Sequence, residues 1–419
     1  SSHFGSSLAQ LAVAMRAVLG LGAAFSLAGL LVYTQRNGSA RPVVTGAPSR
    51  TVSARAVFGA IRWDAWNGLA GDVVSSTVAQ TMAPVKYHWR LPWYATVDPA
   101  NETKISFNAD RQSIMDQELQ LAHAAGLSFW AYDTYCVWPT DAHIPECQFW
   151  WDTESVGYKA TDPAYGLRLH RNSSVKHLMN FSLVLLGSSP ATPQLRPRYL
   201  ELFADPSFQR VGDRPLVFLF NVGRQQADHM GGWAKWREQW DAFRRESIAQ
   251  GSGNPYFVAM CVGAANLHVA EEARAGLGFD AVSAYALPGG TVGGTAFAAQ
   301  AAEAREFWGQ ARAAGLEQVV PVPTGWDPRP RADHEPVWVK EGPEHFLEPT
   351  AAELARLVED AAAAAAEEEP GVALLYAWNE NTEGGWLLPT LGNGTTRLDA
   401  VAAGLKRRAG AERNHALWQ

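Results

Sequence analysis

Short apolar runs separated by helical stretches constrain this chain more than any other feature. The runs are Val57–Arg62, Leu127–Tyr132, Met179–Leu186, Pro215–Phe220, Tyr256–Val262, Asp280–Tyr285, Val319–Val322 and Val372–Trp378. Largely apolar runs of this length read as strands covered on both faces, the habit of a parallel sheet. Amphipathic helices are predicted between many of them. Ser113–Ala125 places Ile114, Met115, Leu119 and Ala122 on one face, and Trp233–Ala249 and Ala296–Ala314 do the same with Trp, Phe and Ala. The last interstrand helix opens on a capping box, Thr350-Ala351-Ala352-Glu353, ahead of Leu354, Leu357 and Val358. Its alanine run ends in three Glu and Pro370. Such alternation predicts the α/β class and a (β/α)8 TIM barrel, a single catalytic domain over residues 56–410. A further run, Val85–Arg90, lies between Pro84 and Pro92 and reads as part of a long active-side loop.

The chain is 419 residues long, a length that one barrel with long loops can occupy. Its 47% apolar and 18% charged residues exclude general disorder. A net charge of −7 argues against a nucleic-acid partner, which would need a basic face. Three cysteines exclude a disulfide-built scaffold, and no His/Cys/Asp cluster has metal-ligand spacing, so no metal or other cofactor is expected. No glycine-rich phosphate loop follows a strand, which leaves nucleotide-sugar use without local support. Seventeen Trp, 11 Tyr and 17 Phe suit both a large core and the flat platforms of a sugar cleft.

Residues 1–36 carry the apolar, uncharged run Ala17–Tyr33 between Arg16 and Arg36. Two readings stand: an uncleaved signal anchor, or a signal peptide cut near Ala40. Residues 37–55 are polar and breaker-rich, a linker or stem. Sequons at Asn37, Asn101, Asn172, Asn180 and Asn393 agree with a secretory route, membrane-anchored or secreted, although Asn180 lies in an apolar run. Membrane contact is expected through the amino-terminal segment only, and no feature signals an oligomeric state. Cys136 and Cys147 can pair in an oxidising lumen or stay as thiols, whereas Cys261 reads as core.

Barrel chemistry collects at the carboxyl ends of the strands. The first run ends Arg62-Trp63-Asp64, the second Tyr132-Asp133-Thr134-Tyr135, and the fourth at Asn221. Tyr285 ends the sixth, and Trp326-Asp327 follows the seventh. The eighth leads into Trp378-Asn379-Glu380-Asn381-Thr382-Glu383-Gly384-Gly385-Trp386. Glu380 and Glu383, three residues apart, can point at one spot if the backbone turns there. Glycosidases need such a pair, an acid for the leaving oxygen and a base or nucleophile opposite. The same spacing is also common on solvated helix ends. Trp63, Asp64, Asp133, Tyr135, Tyr285, Trp326, Asp327, Trp378, Asn379 and Trp386 are the substrate-binding candidates. Arg329 and Arg331 are expected to ion-pair within their own Pro-rich loop. His88 and Arg90 are read either as substrate contacts or as loop structure.

Three segments carry a resemblance: Gly59-Ala60-Ile61-Arg62-Trp63-Asp64, Met115–Ala122 followed by Ala125-Gly126, and Trp378–Gly384. Together they resemble the glycoside hydrolase family 99 and 99-like barrels. That group includes endo-α-mannosidases and polysaccharide-locus proteins, some labelled glycosyltransferases. The similarity runs in motif order over roughly residues 56–405, with Trp-Asn-Glu-x-x-Glu-Gly its specific element. The resemblance implies a carbohydrate substrate, α-mannosides among them. It implies Glu380 as base on the sugar 2-hydroxyl and Glu383 as general acid/base. It also implies retention through a 1,2-anhydro sugar, and a Golgi-like location for an anchored member. Tyr87–Pro92 and Gly325–Pro330 look like the 99-like branch, so sugar contacts outside the pair are not carried over. A transferase or transglycosylase on the same carboxylates, or a non-catalytic carbohydrate-binding barrel, stand as alternatives.

Overall fold

The structure is a computed structural model that describes residues 56–68, 73–134, 136–137, 148–149, 165–186, 191, 193, 196–220, 222–336 and 340–416. The amino-terminal segment, Tyr135, Asn221 and the Cys136–Cys147 pairing therefore lie outside the description. Among the described residues no helix is long and apolar enough to cross a membrane.

The main strands are β1 (Val57–Arg62), β2 (Phe129–Thr134), β3 (Asn180–Leu186), β4 (Arg214–Phe220), β5 (Tyr256–Cys261), β6 (Ala281–Ala284), β7 (Val320–Pro323) and β8 (Val372–Tyr376). They pair in parallel in the order β6-β5-β4-β3-β2-β1-β8-β7. The ring closes between β6 and β7 through one parallel bridge, Val282 with Gln318. There Val282 N donates to Glu317 O and Val319 N to Val282 O, each at 3.0 Å. This is a nearly closed (β/α)8 barrel. The helices between and after the strands include α1 (Gln112–Ala124), α2 (Tyr165–Asn172), α3 (Arg196–Phe203), α4 (Trp233–Ala249), α5 (Leu267–Leu277), α6 (Phe297–Ala313), α7 (Ala351–Ala366) and α8 (Thr396–Ala416).

Side chains alternate along each strand between the inside of the barrel and its helix-covered outside. Ile61, Phe129, Ala131, Val184, Phe218, Val258, Met260 and Leu374 fill the interior. At Gly59 a Cβ would lie 2.2 Å from the Phe129 ring, so glycine there leaves room for that ring. Outside, α1 buries Ile114, Met115, Leu119 and Ala122, as its pattern predicts. Trp240 of α4 meets Phe257 and Phe279 edge-on at 4.9 and 5.0 Å. Among the described residues, Trp66, Trp130, Trp236, Trp240, Trp378 and Trp386 are fully buried in such packing.

Every strand but β1 differs from the sequence reading by one or two residues at one or both ends. The second strand begins at Phe129, because Ser128 N is used by Phe58 O at 2.7 Å to dock the preceding turn. The last ends at Tyr376, where Thr324 N and Oγ1 both reach the Tyr376 carbonyl. Val85–Arg90 is a 3-10 helix, and it sits with the hairpin Thr96–Asp98/Asn101–Ser106 in the long β1–α1 connection.

The capping box of α7 is formed: Glu353 N donates to Thr350 Oγ1 and Thr350 N to Glu353 Oε2. Thr350→Ala should lower stability by about 1 kcal/mol, seen as a lower urea midpoint, while Thr350→Asn should hold the midpoint. An unchanged midpoint in the alanine variant would mean that α7 does not depend on its cap.

Candidate active site

The chain leaves β8 at Tyr376 and folds into a small hairpin in which Asn379–Glu380 pairs antiparallel with Gly385–Trp386. Glu383 N donates to Glu380 O at 3.1 Å, so a turn, not a helix, brings the two carboxylates to one side. Gly384 closes it with φ +88°, where a Cβ would stand 2.3 Å from Asp327 N. That approach is needed because Asp327 N donates to Glu383 O at 2.6 Å, tying the β7 loop to the turn.

Glu380 and Glu383 are both buried at the barrel mouth. Arg331 lies between them: one terminal nitrogen donates to Glu383 Oε1 and to Glu341 Oε1, the other to Glu380 Oε2 at 3.2 Å. Its Nε donates to Thr382 Oγ1 at 2.9 Å. The Tyr376 hydroxyl donates to Glu383 Oε2. The Tyr285 hydroxyl donates to Asp133 Oδ2 at 2.7 Å and reaches Glu380 Oε1 at 3.4 Å. Tyr285 is itself stacked on Phe220 at 4.3 Å, at the upper edge of the barrel interior.

Burial controls the proton affinities here. It pushes Glu383 up to about 8. It pushes Glu380 up to about 7 against the opposing pull of Arg331. Glu341 is raised by burial, again against Arg331. Asp133 is held well above the usual carboxylate range by burial, while the Tyr285 hydrogen bond works in the other direction.

Of the sequence candidates, the structure brings Asp133, Tyr285, Glu380 and Glu383 together. Trp63 lies under the Arg331 guanidinium, 5.2 Å from it. Trp326 is half-buried, with its ring 6.1 Å from that of Tyr376, and keeps part of its surface open. Tyr135 is outside the described residues.

Five candidates need correcting. The Asp64 carboxylate accepts from Arg62 Nε at 3.1 Å and from Gly166 N at 3.0 Å, on the helix side of β1, where Arg62 also pairs with Glu118. Asp327 is held by Arg90 and Arg329, which keep it below its usual value although burial raises it. Asn379 is a strut: Oδ1 accepts from Trp63 N at 2.8 Å and Nδ2 donates to Trp63 O at 2.5 Å. Trp378 packs on Trp130 at 5.0 Å in the outer core. Trp386 is covered by Arg397, whose guanidinium sits 3.4 Å from its ring. These side chains are committed to the fold.

Arg331 departs from expectation in part, since it pairs with the turn as well as with Glu341 of the loop after β7; Arg329 pairs locally, with Asp327. His88 contacts Ala83 O at 2.9 Å, and Arg90 pairs with Asp327, so both serve loop structure. Sequence reading passed over Arg331, Glu341 and Tyr376 as site residues. Only Tyr376 had a signal: it shares the inward register of Val372 and Leu374 on β8.

No family model and no curated protein matches the sequence. Among solved structures, one described as a glycoside hydrolase-like protein is similar, with a TM-score of 0.53 and 11% identity. The match covers 87% of this chain and 97% of that one. A family 99 endo-α-mannosidase from Bacteroides thetaiotaomicron, solved with bis-tris propane, is similar at a TM-score of 0.51 and 13% identity. That match covers 85% of this chain and 98% of the other. The fold is a (β/α)8 barrel similar to that of these two structures.

Within this barrel, buried and half-buried tryptophans should answer truncation differently. Trp378→Ala and Trp386→Ala should each destabilise by about 3–5 kcal/mol in guanidinium unfolding. Trp326→Ala should cost less than either. Equal losses at all three positions would place Trp326 in the core and remove it as a platform.

Proposed function

We propose that this chain is a retaining glycoside hydrolase in which Glu380 is the base and Glu383 the general acid/base. The observation that carries the reading is the turn itself: two buried carboxylates on one side of it, at the carboxyl end of the last strand. Glu341, Glu380 and Glu383 are three carboxyl groups facing one guanidinium. Full ionisation would leave two uncompensated negative charges in a buried place, so protons are retained there. Glu383, pushed up to about 8, keeps its proton near neutrality, while Glu380, pushed up to about 7, is the first of the pair to lose one.

In this reading Glu380 accepts the proton of the sugar 2-hydroxyl as that oxygen attacks the anomeric carbon. The Glu383 proton passes to the leaving oxygen, the glycosidic bond breaks, and a 1,2-anhydro sugar results. Water then opens it: Glu383 takes the water proton, and Glu380 returns its own to O2. The Tyr285 hydroxyl, 3.4 Å from Glu380 Oε1, steadies the charged base before the first step. Asp133, Tyr285, Trp63 and Trp326 are proposed to face the sugar, with α-mannosides the first substrates to try. Residues 56–410 are proposed as the catalytic unit. Residues 1–36 are proposed to route it to the secretory pathway, on the strength of the run Ala17–Tyr33 and the sequons.

On a substrate first shown to be turned over, Glu383→Gln should slow cleavage of poor leaving groups by roughly 10²–10⁴-fold. Activated aryl leaving groups should suffer far less, because they need little protonation. Glu380→Gln should harm both substrate types alike. Equal losses for both types in the Glu383 variant would remove the acid assignment.

The pH dependence has a definite sign. Glu380 must be ionised and Glu383 protonated, so kcat/KM should rise with pH toward about 7 and fall beyond about 8. A rate that climbs steadily to pH 10 would contradict a protonated acid.

A further inference from the structure

Arg331 sits in the short helix Arg329–Asp333 after β7 and is buried. All of its guanidinium nitrogens engage acceptors: Nε on Thr382, one terminal nitrogen on Glu383 and Glu341, the other on Glu380. A guanidinium is planar and its donors are fixed in one fork. Three of these four acceptors belong to the turn 380–383, so one rigid group sets the distance between its two carboxylates. Trp63, from the loop after β1, packs under the fork and limits its tilt. Glu341 lies outside the turn and hydrogen-bonds to Arg331 through Oε1, while its Oε2 is buried with no hydrogen-bond partner among the described residues. A carboxylate held that way is poorly explained by stability, because an unsatisfied buried oxygen is destabilising.

We propose that Arg331 is the positioning residue of the Glu380/Glu383 pair, and that Glu341 is its counterweight, the two acting in opposite directions on the proton held by Glu380. The proposal rests on the reading of the pair as base and acid, and it extends that reading to two residues that never touch the bond being cleaved. Glu380 faces Arg331 and Glu341 from the β7 loop and Tyr285 from the end of β6, with Asp133 of β2 behind Tyr285. Glu383 faces Arg331 and Tyr376. Asp327 nearby is already neutralised by Arg90 and Arg329. Among the described residues, Arg331 and Glu341 thus bring opposite charge signs to Glu380 through one contact chain.

The sign of each effect follows from Coulomb's law. A positive charge beside Glu380 disfavours its protonation, so Arg331→Gln should raise its titration midpoint. A negative charge favours protonation, so Glu341→Gln should lower it. A purely structural role would loosen the loop in both variants and shift the midpoint in the same direction.

The test is a pH titration of the full chain carrying ¹³C at the glutamate side-chain carboxyl, followed by NMR, with Glu380→Gln and Glu383→Gln identifying the signals. Arg331→Gln should raise the proton affinity of Glu380 about tenfold, and Glu341→Gln should lower it by a comparable factor. Arg331→Lys keeps the charge without the fork; it should leave the midpoint close to that of the parent while lowering kcat. Shifts of the same sign in both glutamine variants, or none in either, overturn the proposal. If Arg331→Gln fails to fold, the Glu341→Gln shift decides alone, and an upward or absent shift counts against the proposal. The titration needs no substrate. Opposite shifts without turnover of any glycoside would leave the positioning role standing and sink the hydrolase reading; turnover without the shifts would do the reverse.

Discussion

A carboxylate taken out of water without a partner is among the most expensive things a protein can bury, and the mouth of this barrel buries Asp133, Glu341, Glu380 and Glu383 together. Arg331 contacts three of the four. For that guanidinium to arrive there, the loop after β7 must be pinned, and the surrounding ion pairs do the pinning. Arg90 and Arg329 grip Asp327, whose backbone N–H holds the Glu383 carbonyl. On the far side Arg397 donates to Gly384 O and Trp386 O while pairing with Glu348. The hairpin that carries the pair is thus held by arginines from the loops after β1 and β7 and from the start of α8.

Asp64 and Asp133 show how the same residue type, one register step apart at the ends of neighbouring strands, goes to different ends. Asp133 continues the inward register of Phe129 and Ala131, so it meets Tyr285 inside the mouth. Asp64 continues the outward register of Arg62, next to inward Ile61, so it is enclosed between β1 and the start of α2. Burial pushes both carboxyls up, Asp64 to about 7 despite Arg62. Raised proton affinity alone therefore does not mark a functional carboxylate in this barrel. Direction into the mouth does.

That register was written in the sequence, and it separates what could be read there from what could not. The strands were legible because each is apolar and short enough to be nothing else, and the box Thr350–Glu353 announced its helix. The pair Glu380/Glu383 was legible from its place after the last run. Period-two counting would also have retained Asp133 and Tyr285, promoted Tyr376 and demoted Asp64. Trp378, Asn379 and Trp386 misled because they share a segment with the pair, yet the hairpin turns Asn379 and its cross-strand partner Trp386 away from Glu380, and Trp378 packs outward on Trp130. Arg331 and Glu341 had no local signal: their meeting with the turn depends on how a loop folds, and its Pro and Gly content marks a break in structure without giving a direction.

The same proton retention that suits the pair to general acid and base work acts against the fold. An unfolded glutamate releases its proton around its ordinary value of 4.5, whereas Glu380 and Glu383 hold theirs to about 7 and about 8. The folded state binds more protons than the unfolded one across that window, so stability is full below about 4.5 and falls as pH rises through the folded values. The site is therefore least favourable to the fold above about pH 8, where both carboxyls are ionised. Much of that loss is already present at the pH where the two differ in ionisation. Arg331 offsets part of this by favouring the charged form of Glu380, and it can do so only where the apolar shell of Trp63, Tyr285, Tyr376 and Phe220 keeps the guanidinium from solvent. Wetting that shell would lower both carboxyls toward 4.5, strengthen the fold at neutral pH, and leave Glu383 without the proton that the leaving oxygen needs.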